Sequence, residues 1–119
     1  MKASELRIGN YINDHKTDMS YSVISLSKTL CTYKNQQEFR SPYDLLKPIP
    51  LTDEWLQEFG LIDGVFTELE YFSIRQSFAN GLYYCLYFEN EYTATDIKYV
   101  HELQNLYFAL VGTELTIQS

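Results

Sequence analysis

Apolar positions in this chain recur in short alternating runs separated by polar turns. Leu6-Arg7-Ile8-Gly9-Asn10-Tyr11-Ile12 reads as a short extended segment bent at Gly9-Asn10, and Asn13 to Ser20 as a polar loop. Tyr21 to Leu26 alternates as a strand, with Tyr21, Val23 and Ser25 on one face. Leu30 to Tyr33 predicts a second strand, Lys34 to Glu38 a turn, and Phe39 to Pro42 a short third strand. Short strands joined in this way predict a small antiparallel sheet or partial barrel.

Lys47-Pro48-Ile49-Pro50 is a stiff connector, because each proline fixes its own φ and biases the preceding residue away from helix. A helix is expected next. Thr52 is placed to cap it, Asp53 and Glu54 set negative charge at the positive end of its dipole, and Leu51 and Leu56 occupy the two positions of a hydrophobic staple. Trp55, Leu56 and Phe59 form its apolar face, and Gly60 ends it.

The period then changes to two. Glu70 to Ala79 predicts a strand with Tyr71, Ser73, Arg75 and Ser77 on one face and Phe72, Ile74, Gln76 and Phe78 on the other. Asn80-Gly81 is a type I′ hairpin signal, since both central residues need positive φ. In the returning strand, Leu82 to Glu89, one face carries Leu82, Tyr84, Leu86 and Phe88, and the other Tyr83, Cys85 and Tyr87. Asn90 and Glu91 predict a turn, and Tyr92 to Tyr99 the third strand of a meander. Val100, Leu103, Leu106 with Tyr107, and Leu110 recur at helical spacing, with Gly112 as C-cap. Leu115 to Ile117 predicts a short final strand.

The expected fold is α+β: small antiparallel strands at the N-terminus, then an antiparallel three-stranded meander packed by two short helices. A length of 119 residues favours one domain, subdivided into a β-rich segment over residues 1–47 and a helix–meander–helix segment over residues 48–119. A chain of this size folds without a disulfide or metal, and Cys31 and Cys85 are expected to be free thiols. Met1 to Leu6 lacks the apolar run of a signal peptide, and no stretch reaches the ~18 apolar residues of a membrane span, so a cytoplasmic setting is expected.

Composition sharpens two points. Eleven tyrosines give the chain rings with polar tips, suited to half-buried sheet faces and contact surfaces. The net charge of −7 is uneven: residues 1–47 hold seven basic against five acidic side chains, whereas 48–119 hold two against eleven. Such a balance argues against binding to nucleic-acid phosphates. It either keeps a tyrosine-rich chain soluble or presents an acidic face to a basic partner.

Three segments carry a resemblance: Leu6-Arg7-Ile8-Gly9-Asn10, Pro48-Ile49-Pro50-Leu51-Thr52-Asp53-Glu54-Trp55-Leu56, and Tyr99-Val100-His101-Glu102-Leu103-Gln104-Asn105-Leu106-Tyr107-Phe108-Ala109-Leu110. The chain resembles a family of small uncharacterised proteins from genomes, prophages and mobile elements of anaerobic gut bacteria. The resemblance implies a bacterial cytoplasmic setting and phage ancestry, and brings no activity with it. The Leu6 to Ile12 opening also resembles the first strand of some SH3-like barrels, with Asn10 where an Asp is common.

No motif assembles reactive groups. Two Cys and two His stand isolated, short of the close pairs of a zinc site, so no metal or cofactor is expected. His101, beside Glu102 at a helix start, reads as a surface or capping residue, and His15, near Asp14 and Asp18, as belonging to a solvated loop. Cys85 and His101 would make a catalytic pair only if the fold joined them, and an inert buried thiol is expected within Tyr84-Cys85-Leu86. No catalytic residue is assigned. Tyr71, Tyr83 and Tyr87 remain as candidate partner contacts: their rings either pack beneath the helices or form an exposed patch for a protein partner or a second copy. The leading expectation is a non-enzymatic accessory protein acting through protein–protein contacts. The alternatives are a small ligand-binding domain or enzyme with a dispersed polar site, and an acidic mimic of nucleic acid that blocks a DNA-binding protein.

Overall fold

A computed structural model describes residues 1–16, 19–66, 69–76 and 84–117, apart from the side chains of residues 69 and 70. Its strands pair antiparallel in two sheets, and the chain divides into two units. The first unit comprises Met1–Ile49 with Tyr99–Leu106, and the second Pro50–Lys98 with Tyr107–Ser119. The fold is α+β, with more strand pairing than the sequence pattern predicts.

In the first unit, β1 (Tyr11–Asp14), β2 (Tyr21–Leu26), β3 (Leu30–Lys34), β4 (Glu38–Pro42) and β5 (Leu46–Lys47) form one sheet in the order β4-β3-β2-β1-β5. Ile12, Tyr21, Val23, Cys31, Tyr33 and Leu46 point inward from it and close a core with Leu6. Three expectations need correction here. Asn13 and Asp14, read as loop, continue β1 by pairing with Lys47 and Leu46 of β5, of which Lys47 was read as connector. Ser25 does not share the face of Tyr21 and Val23, because the register shifts between Val23 and Ser25 and leaves Ser25 exposed.

The helix Val100–Val111 (α2 here, following α1 below) gives Leu106 and everything before it to the first unit. Its side chains there replace a missing strand partner. Gln104, fully buried, accepts the Tyr11 amide at 2.8 Å through Oε1 and donates to the Gly9 carbonyl at 3.0 Å through Nε2. The Asn105 Oδ1 accepts from Asn10 Nδ2 at 2.9 Å and Arg7 Nη1 at 3.2 Å, while its Nδ2 donates to the Glu5 carbonyl at 3.0 Å. Asn10 Oδ1 in turn accepts the Arg7 amide at 2.7 Å. Buried backbone groups must find partners: Gly9 N–H and the Asn10 carbonyl pair with Val23 of β2, and the two carboxamides serve the Glu5 and Gly9 carbonyls and the Tyr11 amide on the other side.

In the second unit, α1 (Asp53–Glu58) is capped by Thr52, whose Oγ1 accepts the Trp55 amide at 3.4 Å. Leu51 and Leu56 are both buried, as the staple requires, and Gly60 ends the helix with φ 87°. The second sheet runs β6 (Val65–Phe66), β7 (Leu69–Gln76), β8 (Tyr84–Phe88), β9 (Glu91–Ile97), so a short fourth strand flanks the expected meander. Gly64 precedes β6 at φ 77°, where a Cβ would meet the Ile74 carbonyl oxygen at 2.3 Å; only glycine lets the chain approach β7 this closely.

The β8–β9 hairpin turns at Glu89 and Asn90, both at positive φ (50° and 69°), one residue before the expected turn. A bulge follows: Leu86 faces Thr95 but Tyr87 faces Tyr92, which leaves Thr93 and Ala94 extra and forces Ala94 to φ 65°. The predicted Asn80-Gly81 hairpin lies outside the described residues. Leu115 is buried, yet the predicted strand Leu115 to Ile117 is not formed: the segment has the apolar alternation but no ladder.

Replacing Gln104 by methionine keeps the volume and removes both polar contacts. We expect a loss of about 2–4 kcal/mol, since it strands one buried donor and one acceptor. The test is urea unfolding, and a loss under about 0.5 kcal/mol would mean that water replaces the amide.

Candidate contact face of the second sheet

Directly opposed residues of an antiparallel pair share a face, so the register sorts the side chains of β7, β8 and β9. Ile74, Tyr84, Leu86 and Ile97 lie on the inner face, and all four are buried. Tyr84 there donates to Asp53 Oδ1 at 2.6 Å, which ties the first turn of α1 to the sheet. Burial, and then the neighbouring Asp53 carboxylate, raise the pKa of this phenol.

The outer face carries Tyr71, Ser73 and Arg75 from β7, Cys85 and Tyr87 from β8, and Tyr92 and Asp96 from β9. Tyr71 is 65% and Tyr92 53% exposed, and Tyr87 is half-buried between its neighbours. The Arg75 guanidinium sits 4.5 Å above the Tyr87 ring, and its Nη2 donates to Asn90 Oδ1 at 2.6 Å. Tyr87 meets Tyr92 edge-on at 5.9 Å, and the Tyr92 hydroxyl donates to Asp96 Oδ1 at 2.9 Å. The Cys85 thiol donates to the same oxygen at 3.5 Å.

Of the three candidate contacts, Tyr71 and Tyr87 therefore share this face, and Tyr83 lies outside the described residues. Tyr92, Arg75 and Asp96 belong with them. Arg75 was legible from its alternation with Tyr71, but the place of Tyr92 opposite Tyr87 was not, because the bulge inserts Thr93 and Ala94 into β9.

The remaining residues singled out from sequence fall elsewhere. Cys31 and Cys85 are both free and buried; burial pushes the Cys31 thiol up to about 11 and raises Cys85 as well, helped by Asp96. Neither is poised as a nucleophile. Asp14 is not solvated but buried in β1, where Oδ2 accepts from the Tyr33 hydroxyl at 3.3 Å and Oδ1 from the Lys16 amide at 3.0 Å. Tyr33 also meets Ser41 Oγ at 2.7 Å. His15 is exposed beside this network. Asp18 lies outside the described residues. His101 is not a surface residue: it is 3% exposed and lies parallel to the Tyr99 ring at 5.9 Å, because the first turn of α2 is anchored by the Val100 amide on the Ile49 carbonyl. Among the described residues no group of three or more His, Cys, Asp or Glu is disposed to hold a metal ion, and no helix is long and apolar enough to cross a membrane.

Comparison with protein-family models, with curated proteins and with solved structures finds no match to this chain.

Burial lowers the pKa of His101 below its ordinary 6.5, against the opposing pull of Glu102 and Glu5. The folded protein thus holds this ring neutral, while the unfolded chain takes up a proton near 6.5. Stability tied to His101 is present above that pH and lost as the pH falls through it. Urea midpoints measured from about pH 7.5 down to about pH 5 should decline, and His101→Phe should flatten that stretch of the profile.

Proposed function

We propose that this is a non-enzymatic accessory protein that works through protein–protein contact, and that the outer face of the second sheet is its contact surface. The observation that carries the proposal is the exposure of Tyr71 and Tyr92 on one face with half-buried Tyr87. Tyrosine and arginine dominate contact energies, because each buries apolar area while its polar end still finds a partner. Tyr71, Arg75, Tyr87 and Tyr92 supply both kinds. The setting we propose is the bacterial cytoplasm, in line with the family resemblance of the Leu6 to Asn10, Pro48 to Leu56 and Tyr99 to Leu110 segments.

The test is a pair of variants, Tyr71→Ser and Tyr92→Ser. Both side chains are exposed, so thermal unfolding should shift little, by no more than about 1 kcal/mol in stability. Binding should fall at least tenfold, or about 1.4 kcal/mol, for whichever protein is captured, a second copy included. A chain that remains monomeric at high concentration and captures nothing, or captures equally well as the double variant, overturns the proposal.

A ligand-binding reading rests on a different observation. In the second unit a cavity of about 310 Å³ is lined by Asp53, Gln57, Asp63, Gln76 and Tyr84 over Leu56, Leu61 and Ile74. Its volume suits a small polar molecule, and its walls offer carboxylates and carboxamides around an apolar floor. On this reading, native mass spectrometry of protein taken from cells finds a bound small molecule that is missing from Gln57→Trp, in which an indole fills the space.

A further inference from the structure

The first sheet ends at β4, and among the described residues no strand lies beyond it. The hydrogen bonds of the sheet fix which groups its open edge presents. The amide and carbonyl of Val23 are taken by Asn10 and Gly9, at 2.9 and 2.8 Å, on the side away from β3. In an antiparallel strand both backbone groups of one residue point the same way, and successive residues alternate. Tyr33, opposite Val23, therefore turns its amide and carbonyl toward β4. The other end of β3 gives the same parity, because the Leu30 carbonyl accepts the Ser27 amide at 2.9 Å on the β2 side. Phe39 and Ser41, opposite Tyr33 and Cys31, thus bond to β3, and Glu38, Arg40 and Pro42 direct theirs outward. Pro42 fits this parity: the N–H it lacks would have faced solvent, where edge-strand prolines belong.

An edge of this kind is a template for another strand. A second copy of β4 can meet it antiparallel about a two-fold axis, provided that outward groups oppose outward groups. An axis at Arg40 sets Arg40 against itself and Glu38 against a proline without an N–H. An axis at Glu38 sets two carboxylates together, and one at Ser41 sets Arg40 against Pro42. An axis at Phe39 opposes Glu38 to Arg40 of the second copy, and by symmetry Arg40 to its Glu38. Opposite charges directly across a pair stabilise it, and each such pair exchanges both of its N–H···O bonds. Both side chains are exposed on the outer face; Glu38 has Lys34 opposite it within the sheet, whereas Arg40 has only Thr32.

The same axis brings together the two copies of Phe39, as the non-hydrogen-bonded pair whose Cα atoms approach to about 4.5 Å. Phe39 is 38% exposed, stacked on Tyr33 at 5.9 Å and met edge-on by Tyr21 at 5.6 Å. A second ring there covers its open side and extends the aromatic row across the axis.

We propose that β4 pairs with β4 of a second copy about an axis at Phe39, joining two first-unit sheets into one continuous sheet. The edge belongs to the first unit and is independent of the tyrosine face. Three residues from each chain make a small interface, so a dissociation constant on the order of 100 µM is expected.

The experiment is analytical ultracentrifugation of the full chain from about 10 µM to about 1 mM. Glu38→Arg and Arg40→Glu each oppose like charges at both ends of the paired segment, and each should weaken association at least about tenfold. Both positions are exposed, so thermal unfolding of the two variants should match that of the parent chain. Mixed in equal amounts, the two variants recover opposite charges at both ends. Association should return to the parent level, with native mass spectrometry finding the heterodimer. Tyr71→Ser combined with Tyr92→Ser should leave this dimer unchanged, which separates its failure from that of the tyrosine contact. A chain still monomeric at about 1 mM, single variants that associate as well as the parent, or a mixture that stays monomeric overturns the proposal.

Discussion

The first unit depends on satisfying backbone groups that no strand reaches. Residues 5–11 run beside the first turns of α2, a surface that has no ladder of N–H and C=O groups to offer. Gln104 and Asn105 solve this by using side-chain amides as a substitute peptide edge, donating to the carbonyls of Glu5 and Gly9 and accepting from the amide of Tyr11. A carboxamide carries the same donor and acceptor pair as a peptide unit, so the exchange is close to like for like. Once this is in place, Leu6 and Ile12 are committed to the core and β1 starts in register with both its neighbours. Asn105 and Glu5 also line a surface depression with Ser4, Tyr99, His101 and Glu102.

The second unit is governed by a constraint of another kind, the backbone irregularities of β9. Two positive-φ residues make the hairpin, and a third, Ala94, makes the bulge. An L-residue in this region costs of order 1 kcal/mol, so the strain needs a return elsewhere. The Thr93 hydroxyl gives some of it by bonding the Leu86 carbonyl at 2.9 Å inside the bulge. The larger consequence is geometric. The bulge restores pairing at Tyr92 with Tyr87, and Tyr92 and Asp96 then reach each other along the outer face.

These two constraints explain what the sequence disclosed and what it withheld. The Thr52 cap, the Leu51–Leu56 staple, the stop at Gly60 and the period of α2 are local signals, set within a turn or two of chain, and they were legible. The strands from Tyr21 to Pro42 were legible as well, because alternation is local. β5 was hidden: two residues carry no period, and Leu46 and Lys47 pair only because β1 lies beside them. The same holds for His101 and Asp14, which sequence placed in water; their burial comes from residues far along the chain. The segments Leu6 to Asn10 and Tyr99 to Leu110 stood out together in the sequence. Their physical link is the hydrogen bonding of Arg7, Gly9 and Asn10 to Gln104 and Asn105, a pairing that no local pattern announces. Of the contact face, Tyr71, Arg75 and Tyr87 followed from alternation, and the pairing of Tyr92 with Tyr87 required the bulge.

Exposure alone does not make a binding surface; order matters too, because every side chain immobilised on association subtracts from affinity. On the outer face of the second sheet much of that ordering is already done. Arg75 is held between Asn90 and the Tyr87 ring, Tyr87 stands against Tyr92, and Tyr92 is tethered to Asp96, which Cys85 also anchors from beneath. The Tyr92 hydroxyl and the Arg75 Nη2 are satisfied within the face, so water can leave these two without stranding a donor. Tyr71 differs: its ring meets Phe88 at 6.5 Å, and it is the more exposed of the pair. A fixed centre with one freer ring at the margin suits a partner whose register is set by the centre, with Tyr71 contributing area after docking. If this face is the contact surface, as we propose, the acidic excess of residues 48–119 would oppose stacking of two such faces and favour a partner that brings positive charge.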